Sequence, residues 1–134
     1  MERFGVKSTR REEMIEITRQ VQQAVSNSGV REGVALVHVP HTTAAVTVNE
    51  NADPSVQSDM LSHLAKLVPQ DAAFRHAEGN SDAHLKATLT GNSETLPISD
   101  GRLALGTWQG IYFCEFDGPR QRDVQVQVLS AKDP

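Results

Sequence analysis

The sequence predicts an α+β fold: one compact domain in which a largely antiparallel sheet carries three helices. Three observations point that way. Runs with strand-type alternation outnumber helical stripes, the helical stripes interrupt the strands rather than alternating with them one for one, and 134 residues are enough for a single core. Parallel βαβ winding is the alternative.

In chain order, Arg3 to Ser8 reads as a short strand. Met14 to Ile17 is either its partner or the start of a helix, since Met14, Ile17, Val21 and Val25 keep a helical spacing. A later start is favoured, with Thr18 as cap and Ser28-Gly29 as terminus. Gly33 to Pro40 and Ala44 to Asn49 are β-branched apolar runs joined by the polar turn His41-Thr42-Thr43. Asp53-Pro54 opens a second helix whose apolar stripe is Val56, Met60, Leu64 and Leu67, ending at Pro69. Gln70 to Asn80 has no periodicity and reads as a loop. Ser81 or Asp82 then caps a short helix closed by Gly91, and Glu94 to Ile98 is a brief strand before the Asp100-Gly101 turn.

The stretch from Leu105 to Val128 closes the chain with two strand runs around Asp117-Gly118-Pro119, a hairpin turn or a sharp bend. Val124, Val126 and Val128 alternate with polar residues, and Arg120 and Arg122 share the valines' parity. An extended strand from Arg120 onwards sends both guanidinium groups to the inner face, where each needs an anionic partner or a ligand. Glu115 shares a face with Ile111 and Phe113. It either lines a half-open pocket or pairs with Arg120 or Arg122.

Composition narrows the function. A formal net charge of −4 argues against a general nucleic-acid binder. No window approaches a membrane span or a signal peptide, and the lone Cys114 excludes an intrachain disulfide; a soluble cytoplasmic protein is the expectation, with no nucleic-acid or membrane partner. Cys114 itself reads as a buried, inert thiol. There is no nucleophile elbow, P-loop, dinucleotide fingerprint or HExxH pattern. Five histidines remain: His38, His41, His63, His76 and His84. His41 sits on a strand-connecting turn, His76 on a loop and His84 at a helix start, where positions carry function more often than strand interiors do. Asp59 and His63 lie four apart on the second helix.

Taken together, His41-Thr42-Thr43-Ala44, Asn49-Glu50-Asn51, Asp59, His76 with Asn80 and His84, Leu105-Gly106-Thr107-Trp108-Gln109, and Asp117-Gly118-Pro119-Arg120 with Arg122 resemble the YjbQ-like family, also called the secondary thiamine-phosphate synthase family. The resemblance runs over nearly the whole chain. It implies a homotrimer with a site lined by histidines and polar residues, a divalent metal, commonly zinc, and a weak thiamine-phosphate synthase activity. On that basis His41, Asp59, His84 and Glu115 are the candidate catalytic residues. Asn80, Gln109, Arg120 and Arg122 are the candidates for binding a phosphorylated small molecule, and His41, His76 and His84 for holding the metal. Glu50 also matches the pattern, whereas His38 and His63 fall outside it. Three functional readings are open: a transferase on phosphorylated small molecules, a metal-dependent hydrolase, and a non-catalytic trimeric metabolite-binding module. The first needs cations aimed at phosphate oxygens, a task that suits the planar fork of Arg120 and Arg122.

Overall fold

The computed structural model describes residues 1–71 and 73–132. Eight strands and three helices occur among them: β1 (Glu2–Lys7), β2 (Glu13–Glu16), α1 (Thr18–Ser28), β3 (Gly33–His38), β4 (Ala44–Glu50), α2 (Pro54–Leu67), α3 (Ser81–Thr90), β5 (Ser93–Ser99), β6 (Arg102–Leu103), β7 (Gln109–Glu115) and β8 (Gln121–Ser130). They form two sheets, ordered β1-β8-β3-β5-β6 and β2-β7-β4. Every pairing is antiparallel. The antiparallel α+β expectation therefore holds, and no parallel winding is present among the described residues.

Period-two alternation decides which side chains enter the core. Val124 and Val126 of β8, Val37 of β3, Val46 of β4 and Phe113 of β7 join Val21 and Val25 of α1 in one cluster. Residues of both sheets contribute to it, so the sheets share one core. Each fully buried Val or Phe there contributes about 1.5–3 kcal/mol of hydrophobic stabilisation. A second, smaller cluster of Ala45, Ala83, Ala87, Cys114 and Phe116 holds α3 against the second sheet.

Several local expectations are corrected. Residues 13–16 are a strand, but they pair with β7, while β1 pairs with β8. Helix α1 starts at Thr18 without being capped by it. The Thr18 hydroxyl donates to Glu16 and accepts the Ile111 N–H instead. Neither Ser81 nor Asp82 caps α3; the cap position belongs to Asn80, whose side chain makes no cap bond. Helix α2 has the expected Asp53 cap and Pro54 start, yet none of its residues is buried.

The two polar connections matter most for function. Neither closes a hairpin: β3 and β4 lie in different sheets, and so do β7 and β8. Residues 39–43 and 116–120 are both crossovers between sheets. They run side by side, tied by the Phe116 N–H donating to the Thr43 carbonyl at 3.2 Å. That adjacency builds the site.

Candidate functional site

The two crossovers, the first turn of α3 and the loop before it surround a cleft of about 460 Å³. His41 and Thr43 come from one crossover, Asp117 and Arg120 from the other, Arg122 from the start of β8, and His76, Glu78, Asn80 and His84 from the loop and helix. Six of the sequence candidates are thus brought together: His41, His76, Asn80, His84, Arg120 and Arg122.

Arg122 is the anchor of this cleft. It is 4% exposed, and the fully buried Glu115 lies against it. Arg122 Nε donates to both Glu115 oxygens, at 2.9 and 3.2 Å, and Nη2 donates to Glu115 Oε2 and to Thr43 Oγ1 at 2.8 Å. A paired, hydrogen-bonded guanidinium is the only inexpensive way to bury that charge. Nη1 makes no hydrogen bond with any described residue. Arg122 itself lines the cleft.

Glu115 is held in turn by the Ser8 hydroxyl at 2.7 Å and the Asp117 N–H at 3.1 Å. Burial pushes its carboxyl up, but the hydrogen bonds from Arg122, Ser8 and Asp117 outweigh that, and the net shift is downward. Of the two sequence explanations for Glu115, pairing with an arginine is what the structure shows. The carboxylate does not line the cleft. Its geometry suits a strut under Arg122 rather than a proton-transfer group.

Arg120 departs from the parity expectation. Strand β8 begins at Gln121, so Arg120 belongs to the corner, and its side chain is 51% exposed rather than turned inward. Its Nε and Nη2 hold the carbonyl and carboxylate of Asp117 at 2.8 and 3.0 Å. Asp117 Oδ2 also accepts from Asn80 Nδ2 at 2.8 Å, which fixes the Asn80 amide orientation. Asn80 Oδ1 is left buried without a partner among the described residues. Such an atom costs about 1–3 kcal/mol, and the reverse orientation would face it against a carboxylate.

His41 Nε2 accepts the Asp123 N–H at 2.9 Å. An imidazole that accepts at Nε2 carries its proton on Nδ1, so neutral His41 presents a donor, not a base, on its remaining nitrogen. Desolvation, followed by the positive charge of Arg122, lowers its pKa and keeps it in this form. The rings of His76 and His84 meet edge to face, with centroids 5.5 Å apart, and His76 Nε2 lies 3.8 Å from Glu78.

This donor set does not fit a three-histidine metal centre within one subunit. Ligation by His41 would require either giving up the Asp123 bond or removing the proton from Nδ1. Among the described residues, no group of three His, Cys, Asp or Glu side chains is disposed to hold an ion.

Two candidates lie elsewhere. Asp59 lines an apolar groove between α2 and α3 together with His63, Leu64, Leu67 and Leu89. Gln109 opens β7 at the end remote from Glu115, opposite Glu50 of β4, and accepts the Gly106 N–H at 2.8 Å. Neither reaches the histidine cleft of its own subunit. Cys114 is buried, and burial pushes its thiol up to about 12, as expected of an inert core group. Sequence reasoning quoted Thr43 only as part of a motif, without a role, and passed over Ser8, whose hydroxyl completes the Arg122–Glu115 cluster with that of Thr43, and Glu78 beside His76. Neither Ser8 nor Glu78 has a spacing that announces a role.

The comparisons agree with this architecture. A family model described as UPF0047 protein YjbQ-like matches residues 2–131. The chain belongs to the YjbQ/UPF0047 family. A UPF0047 protein of Methanocaldococcus jannaschii is 50% identical over 130 residues, covering 97% of this chain and 94% of that one. Bacillus subtilis YugU is 49% identical over 125 residues, covering 92% and 95%. Among solved structures, a YjbQ/UPF0047 family protein of Clostridium acetobutylicum superposes with a TM-score of 0.95 at 50% identity, over 96% of this chain and all of that one. A protein of unknown function from Sulfolobus solfataricus gives 0.93 at 35% identity, over 96% and 95%. No helix among the described residues is long and apolar enough to cross a membrane.

Proposed function

We propose that the cleft binds the phosphate group of a small anionic metabolite, and that the YjbQ/UPF0047 protein acts on phosphorylated small molecules. The observation that carries this reading is Arg122: a buried guanidinium lining the cleft, immobilised on two sides and with one prong left over. The Nδ1–H of His41 and the guanidinium of Arg120 add donors from two other directions. Fixed donors converging on one spot are what phosphate oxygens select.

The supply of donors and the sealing of Glu115 favour a reaction that needs charge stabilisation more than proton abstraction. Displacement of pyrophosphate from a hydroxymethylpyrimidine by the nitrogen of a thiazole phosphate is of this kind. A thiamine-phosphate synthase-like transferase is therefore the finer reading, main activity or side activity alike. The metal-dependent hydrolase has less support, because among the described residues no three His, Cys, Asp or Glu side chains are grouped to hold an ion.

We also propose a homotrimer. The apolar groove between α2 and α3, with Leu67 and Leu89 about two-thirds exposed, is the surface such an assembly would cover.

Calorimetric titration with inorganic phosphate and with the two thiamine-phosphate synthase substrates tests the reading. Wild-type protein is expected to bind phosphate. Arg120→Ala should weaken binding about tenfold, just under the range for a hydrogen bond to a charged group because Arg120 is half exposed. An Arg120→Ala variant with wild-type affinity, or a wild type that binds no phosphate-bearing ligand, would count against it.

A further inference from the structure

The cleft is built from two parts, which meet through the Asn80–Asp117 hydrogen bond and the packing of Ala83 and Ala87 with Phe116. One is the N-terminal turn of α3 with Asn80 and His84; the other is the corner with Asp117 and Arg120. Helix α3 buries only Ala83 and Ala87 as apolar side chains, so hydrophobic packing, which is non-directional, does little to set its orientation. The connector between β1 and β2, residues 8–12, touches both parts and lines neither side of the cleft.

Its contacts are specific. Arg11 Nη1 and Nη2 donate in parallel to the two oxygens of Asp82, each at 3.0 Å. Asp82 and Lys86 are fully buried, and Lys86 Nζ donates to Asp82 and to Glu12, both at 3.0 Å. Adjacent residues of the connector thus grip positions one helical turn apart, a two-point attachment that fixes rotation as well as position. On its other side the Arg11 carbonyl accepts the Gly118 N–H at 2.9 Å. Gly118 sits so close to the connector that a Cβ there would collide with the Arg10 carbonyl oxygen and lie 2.7 Å from Ser8 Oγ. One residue therefore holds the helix with its side chain and the corner with its backbone.

From this geometry we infer that Arg11 is a positioning residue for the anion cleft, keeping Asn80 and His84 in register with Asp117, Arg120 and Arg122. The role rests on the anion-binding reading above. Asp117 Oδ2 is bound from both parts, by Asn80 and by Arg120, so a shift of α3 relative to the corner breaks the contact that orients the Arg120 guanidinium. Lysine at position 11 keeps the charge and loses the bidentate geometry, which separates positioning from charge neutralisation.

The test is phosphate affinity of Arg11→Lys by calorimetry, with circular dichroism, thermal midpoint and subunit number measured on the same samples. The expected result is a folded protein of unchanged assembly that binds inorganic phosphate about tenfold more weakly. A purely structural role would move the midpoint and leave the affinity of the folded protein alone. Wild-type affinity in a folded Arg11→Lys overturns the role while leaving the anion reading in place. A wild type that fails to bind phosphate overturns both. Should Arg11→Lys not fold, Glu12→Ala, which removes only the more exposed attachment, should lose affinity about threefold, and unchanged affinity there overturns the role.

Discussion

Replacing Arg122 with Met keeps most of the side-chain volume and removes the charge, so it measures what the buried pair contributes. Five donor–acceptor contacts are lost, three to Glu115 and two to Thr43. The larger effect is on the acid left behind. Removing one partner of a buried ion pair typically costs about 3–5 kcal/mol, because the remaining charge is uncompensated. Here Glu115 keeps the Ser8 hydroxyl and the Asp117 N–H, which places the expected loss near the lower end, about 3 kcal/mol at pH 7.

The pH dependence should reverse. In wild type the Glu115 carboxyl titrates below its ordinary 4.5. Its contribution is therefore complete above that value and is lost as pH falls through the depressed one. Without Arg122, burial, the largest single influence on this carboxyl, is opposed only by the Ser8 and Asp117 hydrogen bonds, and the expected shift is upward. Its contribution is then complete below 4.5 and is lost as pH rises through the raised value. The stability gap between wild type and variant should narrow on going from pH 7 to pH 5. Urea unfolding followed by far-ultraviolet circular dichroism at fixed subunit concentration measures it; Trp108 is 63% exposed and a poor reporter of the core. A loss under about 1 kcal/mol at pH 7, far below the range for breaking a buried pair, or a gap that does not change with pH, would refute the anchoring role of Glu115.

Two further outcomes follow from the surface and the charge pattern. Light scattering should give about 44 kDa, three copies of the 14.6 kDa chain, and Leu67→Glu with Leu89→Glu should dissociate it; a stable monomeric wild type would sink the trimer. Phosphate binding should lose less than about tenfold between 50 and 200 mM salt, well short of the loss seen for proteins that make many phosphate contacts with a nucleic acid, because Arg122 and Arg120 are already paired with Glu115 and Asp117. A steep salt dependence would mean that net field rather than directed donors governs binding.

The parts of the fold legible in the sequence are those set by local period. The alternation of Val124 and Val126 predicted the inner face of β8 correctly, and it put Arg122 there as well. It misplaced Arg120, because parity holds only while the chain stays extended, and extension begins after the Pro119 corner. Gly and Pro marked residues 117–119 as a bend, but the same composition serves a hairpin and a crossover between sheets. Which one forms is decided by pairing partners far away in sequence. The convergence of His41, His76 and His84 on one cleft depends on two crossovers lying side by side. The grip of Arg11 on Asp82 spans 71 residues, and only the i,i+4 spacing of Asp82 and Lys86 hints at it.

Two kinds of charged group can now be told apart by what they touch. Glu115, Asp82 and Lys86 are fully buried and spend their hydrogen bonds on partners within the protein. Arg120, Arg122, His41 and His84 line the cleft. An acid beside arginines in sequence reads equally well as a catalyst or as a strut, and burial with full hydrogen-bond satisfaction decides for the strut. What then faces the cleft is rich in donors, with the Glu78 carboxylate and the rings of His76 and His84 beside them. His41, whose acceptor nitrogen is occupied by the Asp123 N–H, is no base, and Asp117 is held by Arg120 and Asn80. A site of this kind lowers a barrier chiefly where negative charge accumulates on oxygen, as on a departing phosphate or pyrophosphate. That chemistry asks for rigid placement of donors, which is what the buried ion pairs on either side of the cleft provide.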